Sequence, residues 1–468
     1  MSELAKVTYA GDKNRLLVRH AFYGTGGFND GGYLEKYDRE TEDNYATRKR
    51  LAYYFNYTKP MVEGAVDPIF REYPTRVANN NDERWNGFLL DVDGMGTPID
   101  KFMAEAALEA KLNGSLFIVV DNATTDMAAN MEESIANRQY PYLYVLDSKN
   151  VTSYVLNRYG RLIMIEYIIK YSVVENGKAK TITENWKWTD EEWHVLREGL
   201  EFGGVNQIGR VPVVPLVGAK SDRRDEDPLR PMSDFLQIAK ANRAIYNACS
   251  ELRQRNRSQA FSLLTYPVPT DENPDNYKEL VAGHNNALLY KGGSAPSWIT
   301  PDQAPSDMLR DEIAMLIEGI YRMAERASVT GVQTQTSGIA KEWDNFTRMQ
   351  SISAFSKVCE QAEQDIATIF GLYIDKDLNV DIAYAKDFGV TDTKAELDKI
   401  TSALDMAIGG LFDTEAKKIA ARLVLKDLDD DVIKSVVDDI DKRREDMDYS
   451  NSLNKQTNQI QQNQPGNE

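Results

Sequence analysis

An α+β fold is the class this sequence predicts, and three observations carry it. Between residues 115 and 188 the runs SLFIVVD, PYLYVLD, VTSYVLN, LIMIEYIIKYSVV and KTITENWKW are rich in β-branched and aromatic residues. Asn, Asp and Gly turns separate them, as expected of antiparallel strands. Two later segments carry helical periodicity instead. Ile238, Ile245 and Leu252 recur every seventh residue, and Ile313, Leu316, Ile317, Ile320 and Ala324 follow the i, i+3, i+4, i+7 spacing of an amphipathic helix. Finally, Phe346, Met349, Ile352, Val358, Ile366, Ile369, Phe370 and Tyr373 spread over one segment of roughly nine turns, against about three for a mean globular helix. A helix of that length points to an elongated assembly.

Taken in order, residues 1–32 contain GTGGFNDGG and read as a flexible arm. Residues 33–230 form an α+β unit, helical first. In TPIDKFMAEAALEAKLN, Pro98 takes an N1-like position and Gly114 a C′-like one. The strands then follow. A helix over 231–260 opens on Ser233 as N-cap, and Asn242 and Ser250 interrupt the row beside its apolar stripe. Arg253, Arg255 and Arg257 load its far end, so it is expected to pack along one stripe and stay wet elsewhere. The insert at 261–304 reads as short strands at 261–266 and 287–290 around a helical piece near 276–282, punctuated by Pro267, Pro269 and Pro274. A second helix of similar length returns over 305–328, and the two can lie antiparallel. VTGVQTQTSG at 329–338 neither continues a helix nor offers a core, and reads as an exposed loop. The long helix and a β-prone segment at 380–384 fill 339–390. Within 391–448, helices are predicted at 393–408, 413–425 and 430–446. Asp413 and Glu415 place acid near the second one's N-terminus, and Lys434, Lys442, Arg443 and Arg444 alternate with acids in an ion-paired bundle. The Asn/Gln-rich end, 449–468, reads as disordered.

Composition narrows the chemistry. With 468 residues and a hydrophobic share of 42%, the chain is long enough for about three structural units with buried cores. No apolar run approaches the ~18 residues of a membrane span, and the first residues lack the apolar stretch of a secretory signal. Cys249 and Cys359 cannot build a disulfide framework, which fits a reducing cytoplasm. No phosphate loop is present: in Gly218-Ala219-Lys220-Ser221 the spacing is wrong for cradling a nucleotide. His20, His194 and His284 are dispersed and lack zinc-site spacing. Asp91-Val92-Asp93-Gly94 starts like a calcium loop but lacks the later ligands and reads as a turn, and Asp429 to Asp431 read as a solvated helix start. We therefore expect no catalytic residues, no cofactor and no metal.

The order of these elements resembles the portal proteins of tailed bacteriophages. TQTSGIAKEWDNF (334–346) resembles that family's opening of the long helix. The stretch YATRKRLAYYFNYTKPMVEGAVDPIFREYPTRV (45–77) resembles its paired N-terminal wing helices, and IGRVPVVPLVGAK (208–220) the strand before its first stem helix. The resemblance spans roughly 45–448 and rests on order rather than on one decisive motif. It implies a portal-type fold: a wing (33–230), stem helices (231–260 and 305–328), a clip (261–304), a tunnel loop (329–338), a long helix (339–390) and a helical crown (391–448). It also implies a ring of about twelve copies at one capsid vertex, assembled in the host cytoplasm. That ring would conduct double-stranded DNA during packaging and ejection, and would meet the terminase large subunit, then a head-tail adaptor, with the major capsid protein and scaffold at the shell.

On that reading Gln333, Thr334, Gln335, Thr336 and Ser337 line the channel, the alternative being a buried turn. The clip residues Thr270, Asp271, Glu272, Asn273, Asp275, Asn276 and Lys278 dock the motor and adaptor. Arg253, Arg255 and Arg257 either face DNA as basic rings or pair with acids of the returning helix such as Asp311 and Glu312. The net charge of -18 is unlike that of a duplex binder, which gathers cations to release phosphate counterions. A conduit has the opposite need, since an acidic wall keeps the phosphate backbone off its surface. The same charge also suits an ordinary acidic protein. Two alternatives remain: a capsid or scaffold protein, and a nucleic-acid-processing enzyme.

Overall fold

The computed structural model describes residues 7–8, 13–78, 82–122, 138, 140–175, 177–221, 227–259, 263–268, 287–291, 297–299, 303–324, 338–388, 393–406, 408–425 and 432–444. They fall into two compact units, an α+β body within 1–388 and a helical region within 389–468.

In the body, β1 (Val7–Thr8) and helices α1 (Lys13–Tyr23), α2 (Glu42–Leu51) and α3 (Thr58–Val66) come first. The flexible-arm expectation for 1–32 fails from Lys13 onward. Leu17, Val18, Ala21 and Phe22 bury one face of α1, and Arg15 is buried with them. The amphipathic run KNRLLVRHAFY outweighs the glycines that follow it, and those glycines form ordered turns. α2 shows good end chemistry: Thr41 caps it by accepting from the Asn44 N–H at 3.3 Å, with Glu42 and Asp43 at its start and Arg48, Lys49 and Arg50 at its end.

After β2 (Thr75–Ala78) and α4 (Glu83–Leu90) comes α5 (Ile99–Asn113). Pro98 sits one position earlier than expected, as the extended N-cap. Gly114 ends the helix in the left-handed region at φ 88°, where a Cβ would lie 2.1 Å from the Pro231 carbonyl oxygen. Only glycine satisfies both demands.

The expected antiparallel strands divide between two sheets. β3 (Ser115–Asp121) is central in a sheet of order β10-β3-β4, with β4 (Tyr142–Asp147) and β10 (Val213–Val217) as antiparallel neighbours. The order of the other is β1-β5-β6-β7-β8-β9, from β5 (Val151–Leu156), β6 (Leu162–Glu175), β7 (Lys178–Thr189), β8 (Glu192–Arg197) and β9 (Leu200–Val205). Neither β8 nor β9 was legible as a strand. β9, LEFGGV, is exposed along its whole length and is held by backbone pairing to β8. β3 reads as a continuous apolar run because both its faces are covered. Leu116, Ile118 and Val120 join a core with α4 and α5, whereas Phe117 and Val119 join Tyr154, Tyr167 and Trp188 of the larger sheet.

Beyond the sheets lie α6 (Leu236–Gln259), β11 (Leu263–Val268), β12 (Ala287–Lys291), β13 (Ser297–Ile299), α7 (Ala304–Met323), α8 (Gly338–Tyr373) and β14 (Val380–Ala383). β14 pairs antiparallel with β2 and returns the chain to the N-terminal part of the body. In α8, Ile352, Phe355, Cys359, Ile366, Ile369 and Phe370 are buried against Trp85, Phe88 and Met103, while Phe346 and Val358 are exposed. Much of the long helix is therefore a core helix of its own chain.

The helical region comprises α9 (Thr393–Asp405), α10 (Gly410–Val424) and α11 (432–444). α10 starts three residues before the predicted Asp413, which falls in its first turn. Lys418 pairs with Glu415 at 2.9 Å and with Asp441 of α11 at 2.6 Å, as an ion-paired bundle requires.

Candidate functional site

The pair α6 and α7 brackets the three-stranded insert. At 24 and 20 residues the helices are about 36 and 30 Å long. Phe235 and Ile238 at the start of α6 lie beside Met323 and Ala324 at the end of α7, so the helices run antiparallel. That end of the pair is rooted in the body: Ile238, Ala239, Ile245, Tyr246 and Ile320 share a core with α1 and α3. Among the described residues, no apolar side chain is fully buried in α6 beyond Ala248 or in α7 before Ile320. Ile313, Leu316 and Ile317 are half-buried, while Met308 and Met315, seven residues apart, are 72% and 64% exposed.

Ser233 is not the N-cap it was expected to be: α6 begins three residues later at Leu236, and Ser233 opens the turn that leads into it, its carbonyl accepting from the Leu236 N–H at 3.1 Å. Its Oγ accepts from the Phe235 N–H at 3.2 Å and donates to the Lys111 carbonyl at 2.7 Å. The expected wet row is a correction, because Asn242 and Ser250 are both buried. Asn242 Oδ1 accepts from the Tyr57 and Thr58 N–H groups at 3.0 and 3.1 Å and from the Tyr54 hydroxyl at 2.9 Å. Its Nδ2 donates to the Phe55 carbonyl at 2.8 Å. This one side chain supplies partners for the extended segment before α3, whose backbone groups no helix or sheet satisfies.

Arg253 and Arg257 on the last turns of α6 are exposed, and Arg255 is half-buried. Asp311 and Glu312 face solvent, and among the described residues they form no ion pair with Arg253 or Arg257. Between the helices, β11 pairs parallel with β12 and antiparallel with β13, the last an unanticipated strand. Pro267 is tolerated in the central strand because, among the described residues, β13 pairs only with Leu263 to Thr265 and forms no ladder beside the proline. The docking candidates Thr270, Asp271, Glu272, Asn273, Asp275, Asn276 and Lys278, the helical piece at 276–282, and the channel candidates Gln333 to Ser337 lie outside the described residues.

Buried ion pairs that periodicity did not reveal fix α8 in the body. Arg76 of β2 bonds to Glu363 of α8 and, at 2.8 Å, to Asp100 of α5. The Tyr384 hydroxyl donates to Glu363 at 2.6 Å. Burial opposes the Arg76 charge, but the bonds and charge of Glu363, then Asp100, outweigh it and raise its pKa. Asp82 is held well below the usual carboxylate range, first by its bond from Arg84 and, against burial, by Lys376 at 2.7 Å. Burial pushes the Cys359 thiol up to about 12. Among the described residues there is no cluster of three or more His, Cys, Asp or Glu placed to hold a metal, and no helix long and apolar enough to cross a membrane.

No protein-family model matches this chain, and no curated protein does. Among solved structures it is similar to a chain of the virion of a native gene transfer agent particle, at 14% identity and TM-score 0.45, over 87% of this chain and 93% of that one. It is also similar to a chain in the neck of an empty gene transfer agent particle computed with C6 symmetry, at 13% identity and TM-score 0.46, over the same shares of the two chains.

Proposed function

We propose that this chain is the portal subunit of a tailed-phage-type particle, a ring of about twelve copies through which double-stranded DNA is packaged and later ejected. The observation that carries this reading is the α6–α7 pair. One end is rooted in the body, the other has no fully buried apolar side chain among the described residues, a small sheet interrupts the pair, and a 36-residue helix follows. A helix pair with exposed apolar residues along its free half finds cover when identical copies stand side by side, and a closed ring gives every copy the same cover.

In this assignment α6 and α7 are the stem, the β11–β13 insert is the clip that docks the terminase motor and then the tail adaptor, and 329–338 is the tunnel loop. The helical region is the crown, and the remaining body is the wing that meets capsid protein and scaffold. The reading requires no catalytic group: the ring guides DNA, and the acidic balance of -18 favours passage over retention.

Electron microscopy of the purified protein with native mass spectrometry tests this. A closed ring of about twelve copies with a central hole is expected; a monodisperse monomer or dimer that no capsid component converts to rings counts against it. Deleting 329–338 separates the roles, since rings are expected to form while DNA packaging or retention is lost. Tight binding of linear duplex at physiological salt would contradict the idea of a non-retentive channel.

A further inference from the structure

We propose that the cavity where α3, α5, α6, α7 and α8 meet is a binding site for a phosphate group. Its volume is about 200 Å³, and three cationic side chains, Lys111, Lys220 and Arg348, line it against one carboxylate, Asp234. This local excess of positive charge stands in a chain whose net charge is -18.

Among the described residues, none of the three cations has a carboxylate within hydrogen-bond distance. Lys111 lies on α5 with its side chain 11% exposed, and its Nζ is 3.8 Å from Asp234, outside hydrogen-bond distance, and 4.3 Å from the Phe355 ring centre. Lys220, just past β10, is exposed and forms no ion pair among the described residues. Arg348 on α8 donates to the Gly64 carbonyl at 3.2 Å and has no carboxylate partner among the described residues. Burial disfavours the Lys111 charge, Asp234 restores part of it, and Lys220 opposes it again. Two lysines near enough to repel each other, facing one acid, are the arrangement a bound anion relieves.

The chemistry favours a tetrahedral oxyanion. The cations come from three separate segments, which suits the several acceptor oxygens of a phosphate better than the two of a carboxylate. The start of α6, at Phe235 and Ile238, forms part of the wall and adds the positive end of its dipole. Asp234 is the discriminating residue. It repels a fully ionised group but accepts from the hydroxyl of hydrogenphosphate or of a singly protonated phosphomonoester, whose second pKa is about 6. A nucleic-acid phosphodiester has no such proton, so Asp234 favours free phosphate.

Titration calorimetry of the full chain with inorganic phosphate, at constant ionic strength set by chloride, tests the proposal. Saturable binding is expected, weakened about tenfold or more in Lys220→Ala and in Arg348→Gln. Lys220 is exposed, so an unchanged thermal melt of Lys220→Ala keeps the comparison valid. Absence of saturable phosphate binding, or wild-type affinity in both variants, overturns the proposal. Competition with a short DNA duplex identifies the source. Displacement of phosphate from the wild type that is lost in Lys220→Ala assigns the site to backbone phosphate, and persistence of bound phosphate assigns it to the free anion. Ring formation is read separately, so failure here leaves the portal reading standing.

Discussion

Helices of similar length meet different fates in the body and in the helical region. α5 buries Ile99, Phe102, Met103, Ala106, Ala107 and Ala110 against β3 and α8, and α1 buries an entire face. In the helical region, the buried residues among those described are Thr414 and Ala416, while Leu411 and Ile419 of α10 stay 60% and 57% exposed. Met406, Ile408 and Val424 are exposed as well. So little burial among its described residues leaves a small hydrophobic gain to set against the conformational entropy lost on ordering. The body's helices share large cores, whereas the apolar residues described in the helical region are mostly exposed, which suits burial against partners. Under the portal reading those partners are neighbouring copies.

Cutting the chain after Phe388 breaks this comparison most severely. The fragment 1–388 is expected to keep a cooperative thermal transition by circular dichroism, whereas 389–468 alone at micromolar concentration is expected to lose most of its helical signal. A well-folded monomeric 389–468 would show that α9 to α11 suffice for themselves. Next in size is Arg76→Met, which leaves Glu363 buried without its cation. About 3–5 kcal/mol of body stability is expected to vanish in urea titration. The helical region has no counterpart to such a pair among its described residues.

Asn242→Ala sharpens the contrast between a rooted and an unrooted helix end. It strands the Tyr57 and Thr58 N–H groups in a buried setting, at a cost of about 1–3 kcal/mol, measured by the same titration. A polar substitution at exposed Met315 is expected to leave the body's stability unchanged and to lower the mass of the assembly instead.

How far the sequence disclosed these differences depends on what each pattern measures. The strand composition around SLFIVVD and the spacing of Ile313 to Ile320 were legible because burial of one or two faces imprints directly on residue type. The same logic hid other features. Asn242 looks like a break in an apolar stripe, and only the fold shows that its amide faces the backbone at the entry to α3. Arg76 and Glu363 are 287 positions apart, so no local pattern relates them. The order of α1 was masked by its glycine-rich sequel. β9 escaped because it is stabilised by ladder bonds rather than by side-chain burial. The candidate channel and clip residues rest on the resemblance to a family, and polar composition alone does not indicate what such residues touch.

The smallest effects concern charge, where the two regions differ in screening. Asp82 has its folded pKa depressed by Arg84 and Lys376, so the stability it contributes is present above the ordinary carboxylate value and is lost as pH falls toward the depressed one. Asp82→Asn is therefore expected to destabilise the body clearly at pH 7, and the gap to wild type should narrow steadily below pH 4 in urea titrations. A gap independent of pH would mean that Asp82 acts as an uncharged cap of α4, through its 2.9 Å bond from the Arg84 N–H, rather than through its charge. Lys418→Ala makes the matching cut in the helical region. Its partners Glu415 and Asp441 are solvent-exposed, water and salt screen both pairs, and the melt of the full chain is expected not to move. A clear shift there would mean that copies or partners desolvate α10 and α11, turning a surface pair into an interface pair.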